Sequence, residues 1–534
     1  MVVKKILALL TALPMLMPWR PVEATGFWHT DGSRIISPTG ETAVLYGMGF
    51  GNDMWEDSLE KMGLHHSEDS FKEMSELGFN SVRFLLNYRW FEDDSAPYIY
   101  KQEGFDFLDQ SIAWAKNNGI GLVLNMHYPQ GGYQSQGKGT ALWTDAENQK
   151  RLVSLWGEIA RRYSNEPAII GYGIVNEPVV PEKSTVEEAV KQCRSLVQRC
   201  TDEIRKYDNK HMIFAERVAG IQNISTGEIL WGKYSSEMLW YLIDDTNVAY
   251  EAHFYEPVTF THQTAQATAK YPSDAPYVDY KSYWVDCIAA KPANSAGYFE
   301  TDFFQRTEEY NLFSPALHTW GVGYGAAHFD DIFVTEYLPD GSSRVIWQED
   351  FSLEPKIAGE WSSDGSGGYV TENGCCTLSG ANEDYVITFQ SFELKEGCRY
   401  KVSGHIDSDI PAVGTADIRA DFALAENIFN SGRELINNRL SAVTEFSRGN
   451  NVPVFLGEFG ADAESFRDKR GGERWVEDVL DYCLENGLSF SYHAYHEPMF
   501  GFYPEDTTSL PKRRNEALAE LFSVKLHIKP TRGA

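Results

Sequence analysis

Basic residues are scarce in this chain, long apolar runs are scarcer, and its cysteines are few. Lys and Arg number 47 against 77 Asp and Glu, giving a formal net charge of −30. That balance argues against nucleic acid or anionic membrane as a partner, because both repel an acidic surface. A neutral polymer is compatible with it. Only residues 6–17 form a long apolar run, too short to span a bilayer. Lys4 and Lys5 precede that run and Val22-Glu23-Ala24 follows it, the basic–apolar–small order of a secretory leader. Residues 1–24 are therefore expected to be a signal peptide, and the mature protein a soluble, secreted monomer in the periplasm or the medium. The seven cysteines leave at least one unpaired, which excludes a disulfide-framed scaffold. Cys193 and Cys200 are seven apart on an expected helix, roughly 10 Å along its axis and too far to bridge. Cys376 could pair with Cys398, but Cys375 competes. No ligand spacing suggests zinc, and no metal is expected.

What the chain does have is a recurring helix–glycine–strand unit. Leu108, Ile112 and Ala115 mark a helix ending at Gly119, followed by Ile120-Gly121-Leu122-Val123-Leu124. Trp475, Val479 and Cys483 mark another, ending at Gly487 before Leu488-Ser489-Phe490, and a third ends at Gly78 ahead of Phe79. Glycine suits the left-handed residue that closes a helix, and the apolar run after it suits a strand buried on both faces. Leu152, Leu155, Trp156, Ile159 and Tyr163 recur at helical spacing; Ser184 and Glu187 read as a capping box for the helix carrying Val186, Val190, Cys193 and Val197. Strands are expected near 43–48, 79–86, 119–126, 169–175, 211–216, 247–253, 452–457 and 488–492. Eight buried strands alternating with helices indicate an α/β fold of the (β/α)8 TIM-barrel type. A doubly wound sheet is the alternative, but no Gly-rich phosphate turn follows the first strand.

At 534 residues the chain exceeds one ordinary domain. The rhythm breaks between the sixth and seventh strands, before the helix carrying Ile428, Leu435, Ile436 and Val443. Gly/Ser-rich turns there alternate with short β-prone runs such as Tyr385-Val386-Ile387-Thr388-Phe389 and Tyr400-Lys401-Val402-Ser403, the pattern of a small β-sandwich. The expected organisation is a barrel over 25–257 and 424–534, with an insertion over 258–423 that contains a sandwich at about 318–422. An insertion in a βα loop is expected on the face that carries barrel active sites.

Two glutamates stand out. Glu177 closes the run Ile169-Ile170-Gly171-Tyr172-Gly173-Ile174-Val175-Asn176, and Glu458 closes Val452-Pro453-Val454-Phe455-Leu456-Gly457. A carboxylate at the end of a buried strand is held by the strand and exposed by the loop beyond it. Two of them across one cleft have the chemistry to cleave a glycosidic bond, one as proton donor and one as nucleophile. The plainer reading of either, which the pattern disfavours, is a helix-cap or ion-pair carboxylate. Trp55, Trp90, Trp143 and Trp231 lie in or near loops after strands and are candidates to stack on sugar rings, although most tryptophans are core.

Further strand-end residues accompany them: Arg83 at the end of strand two, His127 in Asn125-Met126-His127-Tyr128, Asn176 before Glu177, and His253 and Tyr255 in His253-Phe254-Tyr255. With Gly457-Glu458-Phe459-Gly460, this ordered set resembles glycoside hydrolase family 5, the endoglucanase-type barrel glycosidases, over residues 27–257 and 424–522. The resemblance implies Glu177 as acid/base and Glu458 as nucleophile of a retaining, cofactor-free hydrolase. It implies that Arg83 and Tyr255 hold the nucleophile, that Asn176 reaches the sugar 2-hydroxyl, and that His127 and His253 orient acid and sugar. The charge on Glu458 is expected to keep the proton on Glu177. The family usually carries a tryptophan after strand eight; this chain has His493 or Tyr495 there, in Phe490-Ser491-Tyr492-His493-Ala494-Tyr495. Tyr255-Glu256-Pro257-Val258-Thr259-Phe260 looks like the sixth loop of bacterial β-glucan-cleaving members. That favours a β-1,4-glucan as the polysaccharide or oligosaccharide partner, with mannan, xyloglucan and mixed-linkage glucan as alternatives. The insertion resembles a carbohydrate-binding module. Its Phe329-Asp330-Asp331-Ile332-Phe333-Val334 is similar to a closing strand and precedes an opening-type Trp347-Gln348-Glu349-Asp350-Phe351, as in a permuted sandwich. A different class of reading is a polysaccharide-binding protein that kept the barrel without catalysis. A barrel esterase falls behind for want of a Gly-x-Ser-x-Gly elbow.

Overall fold

The computed structural model describes residues 26–52, 64–231, 237–265, 269–290, 296–323, 325–409 and 414–527. The expected leader and Trp55 lie outside the described residues. The chain divides into two compact units, one of residues 1–269 with 436–534 and one of residues 270–435.

In the first unit, eight parallel strands close into a barrel: β1 (Tyr46–Phe50), β2 (Ser81–Asn87), β3 (Gly121–Tyr128), β4 (Ile169–Gly173), β5 (Met212–Glu216), β6 (Val248–Phe254), β7 (Val454–Phe459) and β8 (Ser489–Tyr492). Each pairs with the next, and β8 pairs with β1. Nearly every strand residue is buried, because lumen covers one face and helices the other. The enclosing helices include Glu68–Leu77, Gln102–Asn117, Ala146–Tyr163, Val186–Ile204, Gly432–Asn450, Gly472–Asn486 and Glu516–His527.

Helix ends follow their local chemistry. Gly78 and Gly487 sit at φ 95° and 62° and donate back to the last turn, a conformation costly for any residue with a Cβ. The helix Val186–Ile204 is capped by Thr185, whose hydroxyl accepts the Glu188 amide at 3.2 Å. The cap thus lies one residue beyond the expected Ser184 and Glu187; Thr185-Val186-Glu187-Glu188 offers the same spacing and starts the helix nearer its first buried residue, Ala189.

Period-two alternation sorts the lumen into layers. At the bottom, Val123, Ile170, Met212, Phe214, Ala249 and Phe455 pack together with Ile35, which comes from the N-terminal hairpin. Two residues further along β5 and β6 the apolar layer gives way to Glu216 and Glu251, and His253 lies above them. On β7 the alternation is interrupted. Ala252 pairs with Leu456 and His253 with Glu458, so Gly457 is skipped, and this irregularity brings Glu458 to the lumen. A Cβ on Gly457 would lie 1.8 Å from Glu251 Oε1, so glycine is what leaves room for that carboxylate.

The second unit is a sandwich of two antiparallel six-stranded sheets. One sheet orders Tyr277–Ala289, Thr415–Phe429, Leu312–Trp320, Asp384–Thr388 and Gly359–Ser362, with Phe392–Glu393 at its side. The other orders Gly297–Glu300, Arg399–Ser408, Ala326–Tyr337, Cys375–Ser379 and Gly368–Glu372, with Ser343–Glu349 paired to Ala326–Tyr337. Phe313, Leu317 and Ile418 of the first meet Phe329, Val334 and Val402 of the second in one core. The sheets extend beyond 318–422 on both sides. Ile428 ends a sandwich strand rather than starting a helix, and Tyr277–Ala289 escapes pattern reading because it is half-exposed and broken by register shifts. All seven cysteines are unpaired, Cys376 and Cys398 included.

Candidate active site

Arg83 is the centre of the upper lumen. It is the third residue of β2 rather than its last, since the apolar run continues through Phe84, Leu85 and Leu86. From that depth its guanidinium, 1 % exposed, reaches three partners at once. Nε donates to Glu251 Oε1 at 2.8 Å, Nη1 to Glu458 Oε1 at 2.7 Å, and Nη2 to Asn176 Oδ1 at 2.7 Å. Burial disfavours the charge on Arg83, but Glu251, Glu458 and Glu216 outweigh it and hold the guanidinium protonated.

The partners inherit their orientation from it. With Oδ1 taken by Arg83, the Asn176 amide turns Nδ2 to Ser135 Oγ at 3.2 Å and His127 Nε2 at 3.3 Å. Glu458 is held at both oxygens, since Tyr255 Oη donates to Oε2 at 2.8 Å. Burial pushes the Glu458 carboxyl up, yet the opposing groups, led by His253 and including Arg83, hold it well below the usual carboxylate range. Burial, then the charge of Glu458, raises Tyr255, which therefore stays a donor.

His253 links the two sides of the cleft. Its Nδ1 is 2.8 Å from Glu177 Oε1 and 3.5 Å from Glu458 Oε2, and its Nε2 is 3.4 Å from Glu251 Oε1 and 3.5 Å from Glu216 Oε2. Burial lowers its basicity, but Glu216, Glu458, Glu177 and Glu251 raise it well above the ordinary histidine value. His127 behaves oppositely. Burial holds it well below 6.5 despite Glu458, which lies 3.8 Å away, so it is neutral.

Glu177 lies four residues beyond the end of β4, in the loop, at φ 39°. Its side chain is the more open of the pair, 19 % exposed against 6 % for Glu458. An oxygen of each lies within 4.8 Å of the other, with His253 Nδ1 inside the same distance. His493 faces this cleft: its Nδ1 is 3.9 Å from Glu458 Oε2, and its ring is parallel to that of His127, 6.5 Å between centroids. Tyr495 does not join the site. It stacks on Phe50 at 4.5 Å and turns its hydroxyl to Glu73, because two residues past His493 the chain has already turned outward. Trp90 is fully buried and Trp143 nearly so, its Nε1 donating to Gln134; Trp231 is half-exposed.

Pattern reading misses Glu216 and Glu251. Their signal is a single acid in the apolar strands Met212-Ile213-Phe214-Ala215-Glu216 and Val248-Ala249-Tyr250-Glu251, the second in step with His253 and Tyr255 at period two. Two groupings, Glu177–His253–Glu458 and Glu216–Glu251–His253, are compact enough to share a cation. The donor set argues otherwise: Arg83 already occupies the centre, and a protonated His253 has no lone pair to offer.

The arrangement is a closed parallel (β/α)8 barrel with paired carboxylates at the C-terminal ends of its strands around a buried arginine. Residues 42–293 match the family model of cellulase (glycosyl hydrolase family 5). The match spans β1–β6 and Glu177 and ends before β7. Endoglucanase C of Acetivibrio thermocellus is 31 % identical over 224 residues, 40 % of this chain and 60 % of that protein. An endoglucanase of Paenibacillus polymyxa is 26 % identical over 246 residues, 43 % and 61 % respectively, and a beta-xylosidase of Phanerodontia chrysosporium 28 % over 225, 36 % and 46 %. The chain thus spans about 60 % of the length of the first of these relatives. A structure of Thermotoga maritima Cel5A with cellobiose aligns over 90 % of this chain and 97 % of its own at 18 % identity, with a TM-score of 0.47, too slight a likeness to argue from.

Replacing Arg83 by Met leaves Glu251 and Glu458 buried without their cation and is expected to cost about 3–5 kcal/mol at neutral pH. The sign with pH follows from linkage. A carboxyl whose folded value is depressed stabilises above its unfolded value, about 4.3, and loses that contribution as pH falls through the folded value. Without Arg83, burial outweighs what still opposes it at Glu458 and lifts that carboxyl above its unfolded value, a penalty that fades as pH falls and the group takes up a proton. Urea denaturation should show the deficit narrowing from pH 8 towards pH 5; a deficit constant with pH would contradict this electrostatic assignment.

Proposed function

We propose that the chain is a retaining β-glycoside hydrolase acting on β-glucan, most readily a β-1,4-linked chain cut internally. One observation carries the reading: an oxygen of Glu177 and one of Glu458 stand within 4.8 Å of each other at the mouth of a family 5 barrel. Retention calls for carboxyl groups about 5–5.5 Å apart, whereas inversion needs about 6.5–9.5 Å to admit a water between them and the sugar. The endoglucanase relatives favour a glucan cut internally.

In the first half-reaction Glu458 attacks the anomeric carbon while Glu177 gives its proton to the departing glycosidic oxygen. The C–O bond breaks and a glycosyl ester on Glu458 forms. In the second, Glu177 takes a proton from water, whose oxygen displaces Glu458 and restores both groups. Arg83 and Tyr255 fit the nucleophile's needs: they fix its rotamer and keep it ionised. Asn176, turned by Arg83 so that its amide N–H groups point away from the guanidinium, suits the sugar 2-hydroxyl. The neutral His127 and the facing His493 suit the walls of the attacked sugar's site. Glu458→Ala and Glu177→Ala, assayed on soluble β-1,4-glucan, are each expected to lose at least about 10²-fold in turnover; near-normal turnover in either removes the assignment.

We propose that the unit of residues 270–435 binds the same class of polymer. Leu317 packs into the sandwich core, so His318 and Trp320 take the other face of their strand; Trp361 joins that face through register with Val386 and, next to it, His318. Trp320 and Trp361 are 37 % and 56 % exposed, flat apolar surfaces suited to the faces of sugar rings. Trp320→Ala with Trp361→Ala in the full chain should reduce retention on insoluble β-glucan several-fold while leaving hydrolysis of a short soluble glycoside unchanged. Undiminished retention would assign the unit a structural role.

A further inference from the structure

We propose that Glu216 is the positioning residue of the proton donor: it holds Glu177 in its working conformation through the Glu177 backbone and through His253. This rests on the reading of Glu177 as acid/base and goes beyond it, because Glu216 belongs to neither the acid nor the nucleophile.

The geometry is specific. Glu177 sits at φ 39°, in the left-handed region that a residue with a Cβ enters only when its surroundings hold it there. Glu216 Oε2 accepts the Glu177 backbone N–H at 2.9 Å, so it fixes the turn from which the Glu177 side chain starts. The same oxygen lies 3.5 Å from His253 Nε2, and the opposite edge of that imidazole, Nδ1, meets Glu177 Oε1 at 2.8 Å. One carboxylate therefore secures both ends of the proposed donor, its backbone directly and its carboxyl group across the ring. Glu216 is itself anchored. It closes β5, its carboxylate is 3 % exposed, and Tyr241 Oη donates to its carbonyl at 2.7 Å. Arg83 from β2 lies 3.9 Å away; Glu251 of β6 and Glu458 of β7 complete the groups around His253. Burial, the largest effect, holds the Glu216 carboxyl well above the usual carboxylate range, with His253 and Arg83 opposing it.

The consequence is a selective one. If Glu216 aims a proton donor, its loss should matter when the leaving group needs a proton and not when it departs as a stable anion. Three variants separate aim from bulk structure. Glu216→Gln keeps length and an accepting oxygen; Glu216→Asp keeps the charge but withdraws the oxygen by one methylene; Glu216→Ala removes both. The readout is kcat/KM on soluble β-1,4-glucan against kcat/KM on a dinitrophenyl β-cellobioside, with thermal unfolding recorded for each.

We expect Glu216→Asp and Glu216→Ala to lose about 10- to 100-fold on the glucan, the scale of a 1 Å misplacement. On the dinitrophenyl substrate they should stay within about threefold of the parent, because that bond breaks without an acid. Glu216→Gln should stay close to the parent on both. Equal losses on both substrates, or no loss in Glu216→Asp, would overturn the proposal. If Glu216→Ala does not fold, the comparison of Asp with Gln decides alone. Glu177→Ala is run alongside, with azide as a small nucleophile. If it shows neither selectivity for the dinitrophenyl substrate nor rescue by azide, the acid/base reading of Glu177 fails. If it shows both while Glu216→Asp matches the parent, only the role of Glu216 fails.

Discussion

A single buried guanidinium sets the conditions for everything above it in the barrel. Arg83 satisfies Glu251, Glu458 and Asn176 through three separate nitrogens. Four carboxylates, those of Glu177, Glu216, Glu251 and Glu458, crowd around His253. Buried charges persist only when paired and hydrogen-bonded, so Arg83 and a protonated His253 are the condition for the cluster to exist. The guanidinium's planar fork also does what an ammonium would not: it fixes the plane of one Glu458 oxygen and the flip of the Asn176 amide together. The charge of Glu458 and the orientation of the Asn176 amide are thus outcomes of one interaction.

The barrel makes this possible by layering. Below Arg83 the lumen is apolar and close-packed, from Ile35 through Phe214 and Phe455; at its level the inward positions turn acidic within two residues on β5 and β6. A low-dielectric floor strengthens every ion pair resting on it. The Gly457 irregularity then adds Glu458 from β7 on a register that strict alternation would deny it. Depth and openness distinguish the two glutamates. Glu458 is enclosed and held at both oxygens, while Glu177 rises from a loop with its side chain partly open to solvent, the openness the proposed proton donor requires.

Much of this was legible in the residues. Apolar runs ending in Arg, His, Asn-Glu or Glu marked the strand ends, and glycines at φ 95° and 62° marked helix ends correctly. What escaped did so for definable reasons. Arg83 lies deeper than a strand end because β2 continues as an apolar run past it. Glu216 and Glu251 resemble stray acids until the barrel closes and brings β2, β5 and β6 to one centre, a relation that no local pattern contains. His493 and Tyr495 are indistinguishable by spacing; only the outward turn of the chain after β8 separates the one facing Glu458 from the one packed on Phe50. In the sandwich, the half-exposed strand Tyr277–Ala289 carries no clean alternation, so its edge was invisible until its long pairing with Thr415–Phe429 appeared.

The proposed retaining reaction requires Glu458 to act as a covalent nucleophile within reach of the donor opposite. The most direct measurement is trapping with a 2-deoxy-2-fluoro-cellobioside bearing a dinitrophenolate leaving group, followed by mass spectrometry of the digested protein. A fluoroglycosyl mass increase confined to the peptide carrying Glu458, and absent from Glu458→Ala, is the result expected. Labelling at a different residue, or an unlabelled enzyme that releases product of inverted anomeric configuration, would contradict it.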